Sequence, residues 1–148
     1  MTEPTLSITT LRRFDACDLY KRVDDITRVM GRVLHEDEEI PLRIWWDLDT
    51  TSVADLWWSL RCLGEPGRRI GAEAACLAAR RVLPLTRVQD RAMCLAAIEA
   101  AEGWLRGDVA PEECREAAAA AYAAADAAAY AAEREQQRID LYRIAFGD

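Results

Sequence analysis

The sequence predicts an all-α fold: a single-domain helical bundle of about five to six helices, closed by a long alanine-rich C-terminal helix. Three observations predict it. Thirteen of the sixteen residues from Ala117 to Ala132 are alanine, the strongest helix former. Apolar residues upstream recur at the i, i+3, i+4, i+7 spacing of a helix with one buried face. Glycine and proline stand where helices would stop and start, at Gly64–Gly67, Pro84, Gly107 and Pro111.

Thr10 can cap a first helix running to about Val33, with Leu11, Phe14, Cys17, Val23, Ile26, Val29 and Met30 as its apolar stripe. Residues 1–9 are expected to be flexible. The polar run His35–Glu39 reads as a loop, and Pro41 suits the first position of a short helix through Trp46. Asp49, Thr50 and Ser52 are competent caps for the next helix, which points Val53, Leu56, Trp57, Leu60 and Leu63 toward a core. After the Gly64–Gly67 turn, Ile70, Ala74 and Leu77 line one side of a helix and Ala72, Cys76, Ala79 and Leu83 another, so this helix is expected to be buried on two sides. Pro84 ends or kinks it.

A further helix begins near Thr86, carries Cys94, Ile98, Ala101 and Leu105, and stops at Gly107. Pro111, followed by Glu112 and Glu113, starts the last one. Nothing breaks it before Gly147, which would make it about 54 Å long. Its buried face is expected to run through Cys114, Ala117, Ala121, Ala124, Ala128, Ala131, Tyr142 and Phe146, with Arg115, Asp126, Tyr130, Glu133 and Gln137 outside. Ile139, Leu141, Tyr142, Ile144 and Phe146 would lock its end.

Chain length and composition exclude several classes. At 148 residues, a core can form without disulfides or metal. The five cysteines stand singly and no C-x-x-C pair occurs, so free and mostly buried thiols are expected. The N-terminal residues lack a basic segment followed by an apolar one, and Asp126 interrupts the alanine tract. Neither a secretory signal nor a membrane span is expected, and a cytoplasmic location follows.

Residues that carry chemistry are sparse. No phosphate-cradling glycine loop, zinc spacing, or nucleophile paired with histidine is present, so no catalytic residue, metal site or cofactor is assigned and a non-enzymatic protein is expected. The lone histidine, His35, precedes Glu36, Asp37, Glu38 and Glu39, and a metal-dependent hydrolase using that loop is a distant third reading. Arg68–Arg69 and Arg80–Arg81 are too isolated to suggest direct nucleic-acid binding.

The charge is unevenly placed. Between Glu36 and Asp55 seven acids (Glu36, Asp37, Glu38, Glu39, Asp47, Asp49 and Asp55) face Arg43 alone, a local −6 within a total of −7. Trp45, Trp46, Trp57 and Trp58 lie in or beside the same stretch. Neighbouring helical residues point about 100° apart, so one tryptophan of each pair is expected in the core while Trp46 and Trp58 are candidates for exposure. Aromatic rings ringed by acid would suit a basic protein partner. Alternatively, all four rings fill the core and its grooves, and the acids solvate a loop. The candidate partner-binding set is Glu36, Asp37, Glu38, Glu39, Trp46, Asp47, Asp49, Asp55 and Trp58.

The series Trp57-Trp-Ser-Leu-Arg-Cys62, Ala74-Ala-Cys-Leu-Ala-Ala-Arg-Arg-Val-Leu-Pro-Leu85, and Ala-Ile-Glu-Ala-Ala-Glu-x-Trp-Leu-Arg-Gly107 after Asp90-Arg91, ending in Tyr142-Arg-Ile-Ala-Phe-Gly147, resembles alanine-rich proteins of bacteria and their phages that carry the label immunity protein. The likeness covers about residues 41–147. It implies a non-enzymatic protein that neutralises a toxin by binding it; a phage-borne inhibitor of a defence component such as a CRISPR effector belongs to the same class. The alternative from the residues is a structural protein that forms a homodimer through its alanine-rich helix.

Overall fold

In the computed structural model the chain is built from eight α-helices and one two-stranded antiparallel pair among the described residues. The described residues are 2–86, 88–122 and 131–147, with backbone alone for 117–122 and 131–135. The all-α expectation is met. The helices are α1 Ile8–Arg13, α2 Leu19–Met30, α3 Leu42–Trp46, α4 Val53–Ser59, α5 Glu65–Val82, α6 Val88–Arg106, α7 Pro111–Tyr122 and α8 Ala131–Phe146. The strands are β1 Thr5–Leu6 and β2 Ile40–Pro41, with Leu6 opposite Ile40. The chain divides into two compact units, Met1–Arg68 with Ala145–Asp148, and Arg69–Ile144.

The first unit departs most from the sequence expectations. In place of a flexible 1–9, Leu6 and Ile8 are buried, β1 pairs with β2, and the Leu42 N–H donates to the Pro4 carbonyl at 2.8 Å. The alternation Thr5-Leu6-Ser7-Ile8, two-residue rather than helical, explains the strand. The single helix expected from Thr10 to about Val33 is broken in two. α1 begins at Ser7, whose hydroxyl accepts from the Thr10 N–H, and closes with Ala16 N–H to Leu11 O and Asp15 N–H to Arg12 O. That double closure is a Schellman motif. Asp15, with φ 55°, occupies the left-handed position that usually takes glycine, and Asp18, with φ 52°, precedes α2. The break re-phases the stripe: Ile26 is fully buried but Val29 is 67 % exposed.

Ser52 rather than Asp49 or Thr50 caps α4, in a capping box with Asp55. Pro41 precedes α3 in an extended conformation and belongs to β2. Gly64, with φ 63°, makes the expected turn, but α5 already begins at Glu65. Gly67 lies inside that helix, where a Cβ would overlap the Leu60 carbonyl, so its role is close backbone approach.

In the second unit α6 packs on α7, with Ala74, Cys76, Cys94, Ala97 and Ile98 buried. Gly103 lets Val109 close over α6, for a Cβ there would meet the valine side chain. Leu141 is buried as expected, but Ile139 is 51 % exposed and Asp140 only 1 %. Asp140 accepts from Arg81 at 2.7 Å, Arg143 at 3.2 Å and Gln136 at 3.3 Å, so the buried carboxylate is neutralised and hydrogen-bonded. The unbroken course of the last helix and its alanine face from Ala117 to Ala131, with Asp126, Tyr130 and Glu133 opposite, lie outside the described residues or side chains.

Candidate acidic binding site

The acidic run 36–39 is a clasp for the N-terminal segment. Arg12 forks onto Glu36 through Nη1 at 2.8 Å and Nη2 at 2.9 Å, and the Thr9 N–H donates to the Glu36 carbonyl at 3.0 Å. The Thr9 hydroxyl donates to Asp37 at 2.6 Å and the Thr5 hydroxyl to Glu39 at 2.6 Å. Arg32 pairs with both oxygens of Glu38. Every acid of the run therefore has a partner that linear reading did not supply, because the partners lie 6 to 34 residues earlier.

These contacts set the electrostatics. The hydrogen bond from Arg12 and its charge hold the Glu36 carboxyl below its ordinary range. The hydrogen bond from Arg32 takes Glu38 to about 2. For Asp55 burial pushes upward, but hydrogen bonds from the Ser52 N–H and hydroxyl, with Arg22 at 2.8 Å, leave a net lowering. Arg12, Arg22 and Arg32 thus join Arg43 around the seven acids, and the local excess of −6 falls to −3 in space. Asp37 and Glu39 are exposed and accept from neutral hydroxyls, which leaves their charge intact. Asp47 and Asp49 are exposed as well.

The tryptophans correct one expectation. Trp46, a candidate for exposure, is 1 % exposed, and Trp45 beside it 5 %. α3 is a single short turn with partners on both sides. The Trp45 indole donates to the Leu6 carbonyl at 3.2 Å, and the Trp46 indole to the Ser59 hydroxyl at 2.9 Å. Phe146 meets Trp46 edge-on at 5.3 Å, with the Arg43 guanidinium over the Phe146 ring at 4.6 Å. Trp46 is therefore a core residue and leaves the candidate set. Trp57 and Trp58 are both half-buried, so neither follows the one-in, one-out expectation cleanly.

What the structure brings together is Glu36, Asp37, Glu38 and Glu39 on one clasped loop; Asp55 is spent on the α4 cap and Arg22. Thr5, Thr9, Arg12 and Arg32 are the residues missed. Among the described residues no three His, Cys, Asp or Glu side chains gather as metal ligands, and no helix is long and apolar enough to cross a membrane. Cys76 has its thiol pushed up to about 11, first by burial and then by the charge of Glu102, which makes it a poor nucleophile at neutral pH. Comparison with protein-family models, with curated proteins and with solved structures found no match.

Proposed function

We propose that this chain is a non-enzymatic binding protein that neutralises a basic protein partner. The partner would be a toxin, as the resemblance of residues 41–147 to alanine-rich immunity proteins implies, or a nucleic-acid-binding defence component such as a CRISPR effector. The observation that carries the reading is the pair Asp37 and Glu39, exposed carboxylates positioned by Thr9 and Thr5 and not neutralised by them. Fixed acids steer a basic partner and lose little side-chain entropy when they bind it. The unit that holds them has fourteen acids against nine bases, −5 of the chain's −7. Asp47, Asp49 and the half-buried Trp58 extend the candidate surface. No observation among the described side chains favours dimerisation through the alanine-rich helix.

The test is capture of basic proteins from host or phage-infected lysate on the immobilised chain. Asp37→Asn with Glu39→Gln should abolish capture, whereas Glu112→Gln with Glu113→Gln, an equal change of charge on α7, should leave it intact. Equal capture by the two variants would overturn the reading.

A further inference from the structure

We propose that the N-terminal segment 2–13 is an exchangeable strap, and that two copies of this chain form a dimer by swapping it. The inference stands apart from the binding role above. The strap is anchored by Leu6, Ile8 and Leu11, each no more than 4 % exposed. Apart from the bonds that Phe14, Asp15 and Ala16 of the turn make back to it, the strap is held among the described residues by partners in 36–45: β2, the Leu42 N–H, the Trp45 indole, and Glu36, Asp37 and Glu39. All of those acceptors and donors lie beyond the connection Phe14–Asp18, so a second copy offers an identical cradle.

That connection is where the fold works against its own sequence. Ile8–Met30 contains neither glycine nor proline, and its spacing predicts a helix running through 14–18. The closed chain instead turns there through two left-handed aspartates, Asp15 at φ 55° and Asp18 at φ 52°. Aspartate tolerates left-handed backbone better than most residues but less well than glycine, and Asp18 gains no side-chain capping bond in return. Opening the hinge into one α1–α2 helix would relieve both positions and carry the strap away from its own cradle. A second copy, opened in the same way, would receive it. The contacts of the strap with residues 36–45 are then remade between chains, and the swapped form differs from the monomer chiefly in the hinge, where the closing bonds of Asp15 and Ala16 give way to helical ones. A strained hinge in a connection of this length favours such exchange.

Refolding from guanidinium chloride at high and at low protein concentration, followed by light scattering after size exclusion, reads the outcome. High concentration should yield a dimer that dissociates slowly on dilution. Asp15→Gly with Asp18→Gly eases the closed turn and weakens the open helix, and should raise the dimer dissociation constant at least about tenfold. Asp15→Ala with Asp18→Ala should lower it by a similar factor. Thr9→Cys with Asp37→Cys, oxidised under dimer conditions, should link two different chains, as shown by mass spectrometry of mixed light and heavy protein. A chain that stays monomeric at every concentration would overturn the proposal. So would a dimer insensitive to the glycine pair, or one whose engineered cysteines link only within a chain. If the alanine pair does not fold, the glycine pair and the cross-link decide.

Discussion

The Trp46 indole N–H donates to the Ser59 hydroxyl at 2.9 Å, and that hydroxyl donates onward to the Leu56 carbonyl at 2.8 Å, which ties α3 to α4 through buried groups. Trp46→Ala should cost about 3–5 kcal/mol through lost packing. Ser59→Ala should cost about 1–3 kcal/mol, because it takes an acceptor from a buried indole. Urea unfolding followed by tryptophan fluorescence separates the two; a Trp46→Ala variant as stable as the parent would contradict the core assignment.

The Arg81–Asp140 pair predicts an asymmetry. Asp140 is buried while the Arg81 side chain is 32 % exposed. Arg81→Met should therefore destabilise by about 3 kcal/mol, since it strips a buried carboxylate of its nearest charge. Adding Asp140→Leu should recover most of that loss, because the buried charge, left to Arg143 and Gln136, is then gone. Double-mutant unfolding measures the coupling, and strictly additive losses would argue that the pair is only a surface contact.

Gly67→Ala should destabilise by about 1–3 kcal/mol, as the new methyl must push α5 away from the Leu60 carbonyl. Gly64→Ala tests a different cause, since nothing lies within 4 Å of its Cβ position and only its φ of 63° is unfavourable. Thermal unfolding should rank the first above the second.

Acid should loosen the strap. The strap's own ion pair is Arg12–Glu36, whose carboxyl is held below its ordinary 4.5 by the Arg12 hydrogen bond, while Arg32 takes Glu38 of the same loop to about 2. A folded value below the unfolded one means that the strap's stabilisation by Glu36 is present above the ordinary carboxyl value of about 4.5 and is lost as pH falls below it. Hydrogen-exchange protection of the Thr9 amide, bonded to the Glu36 carbonyl, should fall across that window. Glu36→Gln with Glu38→Gln should flatten the dependence, and protection unchanged down to pH 2 in the parent would refute it.

The all-α class and most helices from Val53 onward are legible in the sequence. Their signals are local: the Val53–Leu63 stripe, Gly107 after Arg106, and Pro111 ahead of two acids. Gly64 is legible as a turn, whereas Gly67 is misread as part of it because the reason for that glycine is the Leu60 backbone, which spacing does not reveal.

By itself the sequence determined the all-α class, most helices from Val53 onward and which stretch concentrates acid, because propensity, capping and period act between neighbours. It also set Ser52 among the competent caps of α4 and the acids 36–39 in one loop. Only the tertiary structure decided that Asp15 and Asp18 break the first helix, that Trp45 and Trp46 are both buried, and that Arg12 and Arg32 neutralise Glu36 and Glu38. Those outcomes come from the burial of Leu6, Ile8 and Leu11 and from partners distant in the chain, and such contacts override local preference when they remove more apolar surface and satisfy more charge than the local alternative.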